Sequence, residues 1–227
     1  MDHKPAGAGK SSFELIKPDT LFAALPLKED TVFLDAACGR GAYSLAASRF
    51  IGPKGRIYAF DLWEEGITEL QRKMALNPAG PLIAAVADLS RHIPLDAQSV
   101  DVCLLATVLH DLIQDGTDAG ALRETARVLR PGGVLAVVEF KKIEGPPGPP
   151  IGIRISAEEV EDRLRAYPFH LSRVLDVGPF NYLALLNLDV AKAEEASDPR
   201  RPGRSCIGIP RALENEGDEA SHGFPEG

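Results

Sequence analysis

Cysteine is scarce in this sequence: three residues in 227, at positions 38, 103 and 206. Three thiols do not make a disulfide framework, and no two stand at Cys-x-x-Cys spacing. The expected compartment is therefore a reducing one, the cytoplasm, and no metal site is expected. A long apolar run is missing too. The strongest, 102–109, holds eight residues, against the roughly 20 that span a bilayer. Residues 1–10 are polar, without the apolar stretch of a secretory leader. Nor is there an excess of positive charge: 25 basic residues face 33 acidic ones, a net −8, which argues against a broad basic face for nucleic acid. What is present is globular in kind. Hydrophobic residues make up 44% and charged residues 26%, too apolar for a chain disordered throughout.

Composition divides the chain into an arm (1–17), a folded domain (18–191) and a tail (192–227). The tail is rich in Pro, Gly, Arg and Glu, has no periodicity, and reads as disordered. Within the domain, short apolar runs at 31–36, 55–61, 81–87, 100–106 and 133–140 read as buried strands. Helices are expected at 19–25, 41–50, 64–77 and 118–129. The last carries Leu122, Ala126 and Leu129 on one face, at i, i+4 and i+7. Near-continuous apolar strands alternating with helices imply a parallel sheet covered on both faces. The Pro/Gly cluster 145–150 is a loop, whether a plain surface loop or one whose proline spacing suits a polyproline reader. Ser156 with Glu159 three residues later is a capping box that opens another helix, striped by Val160, Leu164 and Tyr167. Strands at 171–177 and 180–188 flank Gly178 and Pro179, and so short a link demands antiparallel pairing. The expectation is an α/β fold with seven strands, mostly parallel, ending in a C-terminal antiparallel hairpin.

Chemistry should gather where the first strand runs into Asp35-Ala-Ala-Cys-Gly39-Arg-Gly41. Gly39 and Gly41 allow a tight turn and close approach by a ligand, and the helix that follows presents free N–H groups there. Asp61 ends the second strand twenty residues later, where a carboxylate can accept both hydroxyls of a ribose. Asp88 ends the third. A dinucleotide site needs Gly-x-Gly-x-x-Gly, and its third glycine is here Ser44. Asp35, Ala37, Gly39 and Gly41, the acids Asp61 and Asp88, the fourth strand 99–106 and the stretch Arg-Val-Leu-Arg-Pro-Gly-Gly at 127–133 together resemble the class I S-adenosylmethionine-dependent methyltransferases. The terminal hairpin agrees with that family's reversed last strand. "VLHDL" after the fourth strand and "VVEF" in the fifth are similar to the small-molecule branch of ubiquinone/menaquinone and arsenite methyltransferases.

The resemblance implies a Rossmann-like sandwich, S-adenosyl-L-methionine as cofactor, and methyl transfer to a small molecule. It implies that Gly39 and Gly41 line the methionine part, with Ala37 as a small neighbour, and that Asp35 helps to hold the amino end. Asp61 and Leu62 would take the ribose and cover the adenine, Asp88 and Leu89 would contact the adenine, and Thr107 would face the cofactor from the other side. Oxygen, nitrogen, carbon and sulfur acceptors all occur on this fold, so the acceptor atom stays open, as does the oligomeric state.

A base is needed only if the nucleophile arrives protonated. His110 after the fourth strand suits proton transfer near neutrality, and Asp111 could orient it. Glu139, near the end of the fifth strand, is the third candidate. Each has a structural reading beside the catalytic one: His110 bonded to a loop carbonyl, Glu139 capping the sheet end or paired with a cation. Trp63 either stacks on adenine or packs at a helix start. Gly-Ala-Gly-Lys10-Ser-Ser tempts a phosphate-loop reading, but Lys4 stands where that motif needs glycine and no strand precedes it. This segment with 13–15 is either a lid over the cofactor or a disordered arm. The three cysteines do not converge as an arsenite pocket requires. After the fourth strand the chain reads Ala-Thr-Val-Leu-His (106–110), not the Asn/Asp-Pro-Pro-aromatic of amino-methylating enzymes of DNA and some RNAs. The other readings of the whole chain are a non-catalytic module that keeps the fold as a binding or assembly surface, an RNA methyltransferase, and a nicotinamide-dependent oxidoreductase.

Overall fold

The computed structural model describes residues 7–76 and 80–189. The expected tail, 192–227, and Cys206 within it lie outside the described residues. After a 3-10 turn at Phe13–Leu15, the elements run α1 (Pro18–Ala24), β1 (Val32–Ala36), α2 (Ala42–Ala47), β2 (Arg56–Asp61), α3 (Glu64–Leu76) and β3 (Leu82–Val86). They continue with β4 (Val100–Ala106), α4 (Leu109–Gln114), α5 (Asp118–Val128), β5 (Leu129–Phe140), α6 (Ala157–Leu164), β6 (Phe169–Asp176) and β7 (Asn181–Leu188).

Among the described residues, seven strands form one sheet in the order β3-β2-β1-β4-β5-β7-β6. β1 to β5 are mutually parallel, and β7 runs antiparallel to both β5 and β6. The expected mostly parallel sheet with a reversed end is thus present. The closing strand lies between β5 and β6 rather than at the sheet's edge.

Strand residues alternate between the two faces, as a period of two requires. Leu34, Cys103, Leu105, Leu135, Val137 and Leu186 face the side covered by α4, α5 and α6. Phe33, Val102, Leu104, Ala136, Val138 and Leu185 face α1, α2 and α3. Helices on both faces explain why these strands read as apolar throughout.

Most boundaries agree with the sequence expectation within two residues; the larger differences are these. β5 begins at Leu129 rather than Gly133: Val100 pairs with Leu129 and Val102 already with Val134, so Arg-Pro-Gly-Gly bulges out within a continuing strand. α2 ends at Ala47, short of residue 50. α4, a helix of six residues, was not expected at all. The capping box at Ser156 and Glu159 is formed in both directions. Among the described residues no helix is long and apolar enough to cross a membrane.

Candidate active site

The order of strands places the site. β1 sends its chain toward β2 on one side, and β4 lies on its other side, so a crevice opens beyond their carboxyl ends. The loop after β1 is held in an unusual shape. Ala37, Gly39 and Gly41 all have left-handed backbone, at φ of 64°, 55° and 73°. At Gly41 a side chain would also collide with Leu70 of α3, the nearest atoms 2.5 Å from a Cβ. At Gly39 nothing stands within 4 Å of that position, so the space above the loop is open. Asp61 ties the loop to the end of β2: one carboxylate oxygen accepts from Gly39 N and the other from Trp63 N, each at 2.7 Å. Burial pushes the Asp61 carboxyl up, against these backbone donors, which pull it down.

A cavity of about 240 Å³ lies over this loop. The 37–40 turn forms its floor. Asp61, Leu62 and Trp63 stand on one side, with Asp88 and Leu89 next to them. Thr107, Val108 and the first turns of α4 stand across from them. Leu62 leaves 49% of its surface exposed, an apolar face turned to open space. Arg40 lies over the Trp63 ring at 5.1 Å, so Trp63 is packed at the helix start and still lines the cavity. Thr107 has φ of 52°. Together with Ala37 it makes two strained non-glycine residues at the facing ends of β4 and β1, which is where strain gathers around functional sites.

The arm completes the enclosure. Residues 7–12 form a wall of the cavity. Ser12, only 2% exposed, shares hydrogen bonds with the hydroxyls of Tyr43 (2.8 Å) and Thr107 (3.0 Å). The Phe13 ring meets the Tyr43 ring edge-on at 5.1 Å.

Of the residues singled out from the sequence, the structure brings Ala37, Gly39, Asp61, Leu62, Asp88, Leu89, Thr107 and Asp111 to this cavity. The remaining four stand behind it. Gly41 serves the turn and the contact with Leu70. Asp35 is 1% exposed and bonded to the Ser44 hydroxyl, with its other oxygen unpartnered. His110 and Glu139 are buried against each other: His110 Nδ1 lies 2.9 and 2.8 Å from the two Glu139 oxygens. His110 therefore meets a carboxylate and not a loop carbonyl, and Glu139 is paired within the protein. Asp88 lies two residues beyond β3, where it accepts from Ser90 N and Oγ and pairs with Arg91 at 3.2 Å. Cys38 lines the cavity, but burial, with the charges of Asp35 and Asp61, pushes its thiol up. Cys103 lies inside β4, its thiol pushed up to about 12 by burial. Among the described residues no group of three or more His, Cys, Asp or Glu is arranged to hold a metal ion.

Sequence reasoning marked Ser12 only as part of the arm read as a lid, and did not find Tyr43, Asp115 or Thr117, which also line the cavity. Asp115 follows Asp111 by one helical turn, a signal that becomes visible only once α4 is known to be a helix.

S-adenosylmethionine suits these residues. Its ribose would find the Asp61 carboxylate, which retains unused lone pairs. Its adenine would find the apolar faces of Leu62 and Leu89, and its amino-acid tail the open floor over Gly39.

Comparison with known proteins agrees. The family described as a methyltransferase domain matches residues 34–137. The ubiquinone/menaquinone biosynthesis C-methyltransferase UbiE of Neisseria meningitidis serogroup C is 32% identical over 120 residues, 53% of this chain and 47% of that protein. The chain thus spans about half the length of the curated relatives it matches. A SAM-dependent methyltransferase from Aquifex aeolicus superposes with a TM-score of 0.71 at 28% identity, covering 78% of this chain and 92% of that one. The [4+2]-cyclase SpnF shares the fold, with a TM-score of 0.64 at 19% identity over 79% of this chain and 83% of its own. In its sheet order, in its glycine loop and acidic strand ends, and in the match of residues 34–137 to a methyltransferase domain, the chain is similar to S-adenosylmethionine-dependent methyltransferases.

Proposed function

We propose that this chain catalyses methyl transfer from S-adenosylmethionine to a small-molecule acceptor. The observation that carries the reading is the convergence of the Gly39 turn, the Asp61 carboxylate and α4 on one cavity. Bound there, S-adenosylmethionine supplies a methyl group on a sulfonium, already activated for displacement. The protein's task is alignment and exclusion of water. Asp61 accepts the ribose hydroxyls, with Leu62 and Leu89 against the adenine and Asp88 at its edge. The 37–40 backbone holds the amino-acid tail, and Asp35 acts from beneath by fixing that turn through Ser44. Thr107 faces the cofactor from β4, and residues 7–12 act as a lid that keeps water out.

A small acceptor is supported by the net charge of −8 and by the relatives, whose name describes C-methylation in quinone biosynthesis. SpnF, a [4+2]-cyclase on the same fold, shows why the fold alone does not settle the reaction.

Calorimetric titration with S-adenosylmethionine and S-adenosylhomocysteine tests the cofactor reading. Both should bind in the micromolar range, and Asp61→Ala should weaken both by roughly tenfold or more, the scale of a lost charged hydrogen bond. Transfer of labelled methyl from S-adenosylmethionine to a panel of phenols, quinols and amines then tests the reaction. A protein that binds neither ligand would overturn the proposal.

A further inference from the structure

Glu139 is 0% exposed, which is costly for a carboxylate unless its oxygens are satisfied. It receives three donors or partners: His110 Nδ1, the His110 backbone N–H at 3.1 Å, and the Phe140 N–H at 3.1 Å. The bond to His110 N satisfies a free N–H in the first turn of α4, a helix with no side-chain cap of its own. Glu139 therefore anchors the start of α4 to β5 and fixes the His110 ring. The other ring nitrogen, Nε2, lies 3.5 Å from Asp111 Oδ1. Asp111 is the member of this row that reaches the cavity. Its second oxygen is closely covered by the arm at Gly7, where a Cβ would stand 2.5 Å from it. Burial lowers the tendency of His110 to hold its proton, but its bond to Glu139 and the charges of Glu139 and Asp111 outweigh this, and Lys10 opposes them; the net direction is up. His110 has Nδ1 engaged by Glu139 and Nε2 beside Asp111, and it stands behind the cavity wall, so neither ring nitrogen faces a ligand.

The strand order shows which end of the cavity Asp111 occupies. Asp61 and Asp88 mark the ribose and adenine end, beyond β2 and β3. Asp111 lies beyond β4, on the far side of β1, where the methyl-donating end of the cofactor and the acceptor must meet. Resting on the methyltransferase reading above, we propose that Asp111 is the residue that contacts the acceptor, and that His110 and Glu139 are positioning residues that hold its carboxylate in place. The acceptor is then a molecule that presents an O–H or N–H at its reacting end. Asp111 accepts a hydrogen bond from that group. As the acceptor atom takes the methyl group, its proton becomes acidic and passes to an Asp111 oxygen. The acceptor keeps the electron pair of the broken bond to hydrogen, and the proton leaves to water when the product departs. The sequence pattern suggested His110 as base with Asp111 orienting it; the geometry exchanges those roles.

The test needs no acceptor. Sinefungin is an analogue of S-adenosylhomocysteine in which the sulfur is replaced by a carbon bearing a protonated amine. That amine occupies the region of the transferred methyl group and is itself an N–H donor. Titration of the full chain with both compounds should show sinefungin bound more tightly than S-adenosylhomocysteine. Asp111→Asn should reduce that preference by roughly tenfold or more, with the affinity for S-adenosylhomocysteine unchanged. His110→Gln should reduce the preference part of the way, again with S-adenosylhomocysteine unaffected; a purely structural role would shift both ligands together or neither. Asp111 is partly exposed, so its variant keeps the test readable if a change at buried His110 impairs folding. Equal binding of the two compounds in the wild-type protein, or a preference unaltered in Asp111→Asn, would overturn the proposal while leaving the cofactor site intact. Absence of S-adenosylhomocysteine binding in the wild-type protein would instead overturn the reading on which it rests.

Discussion

Asp35 sits beneath the glycine turn, where burial lifts its carboxyl from the ordinary 3.8 to about 7; the Ser44 hydrogen bond pulls it back and the charge of Asp61 adds to the rise. Between those two values the native state holds a proton that the unfolded chain has already released. Stability therefore falls as pH climbs from about 4 to about 7, and is level above that. Asp35→Asn retains the size of the side chain and an oxygen for the Ser44 hydroxyl. It should match the wild type near pH 4 and exceed it increasingly toward pH 7.5, by as much as about 4 kcal/mol. Urea unfolding at three pH values measures the difference, and a gap that stays constant with pH would show that Asp35 does not titrate in this window. Asp35 and Asp61 were both visible in the sequence as acids near a glycine turn. That Asp35 would lie behind the cavity was not, because both acids sit at strand ends of the same kind and only the packing of Ser44 and α2 separates them. The pairing of His110 with Glu139 was hidden for a similar reason: 29 residues part them in sequence, and nothing in either segment marks the other as its partner.

Among the connecting elements, the loop between β5 and α6 depends on one side chain. Arg154 is 3% exposed and donates to five backbone carbonyls, those of Lys141, Ile143, Gly145, Pro147 and Pro149. Its guanidinium also lies 5.6 Å from the Phe140 ring centre. A segment rich in Pro and Gly cannot satisfy these carbonyls by forming helix or strand. Arg154→Lys keeps the charge but offers at most three donors from a single point. It should cost roughly 2–4 kcal/mol for the carbonyls left unpaired, and hydrogen exchange should rise at amides of residues 141–153. An exchange pattern like the wild type's would mean that the loop holds itself. The sequence marked 145–150 as a loop because Pro and Gly are strong local signals. It did not mark Arg154 as its clasp, since five carbonyls carry no side-chain signature. The same local signals misplaced the start of β5: Pro131 and Gly132 broke the pattern, yet tertiary pairing with β4 resumes past the bulge. α4 escaped notice because six residues are too few to display a helical period. Its apolar residues also continue the run of β4.

Taken whole, the molecule assembles its site from the ends of four strands and from an arm that comes before all of them in sequence. Ser12 bonds to Tyr43 and Thr107 at once, so the arm joins α2 to the end of β4. Ligand occupying the cavity should hold these contacts shut. Hydrogen exchange at residues 8–13 is expected to slow on addition of saturating S-adenosylhomocysteine, and to slow less in a Ser12→Ala protein. Unchanged exchange would separate the arm from ligand binding. The placement of β7 bears on how the chain is made. It is the last strand among the described residues, yet it fills the slot between β5 and β6 and bonds to both. Until the ribosome has delivered residues 181–188, β5 presents a bare apolar edge, and β6 has no neighbour in the sheet. A nascent chain halted in this interval would carry a nearly complete cofactor cavity and an open template for strand pairing. Such a product is a candidate for chaperone retention or coaggregation before it could become an enzyme.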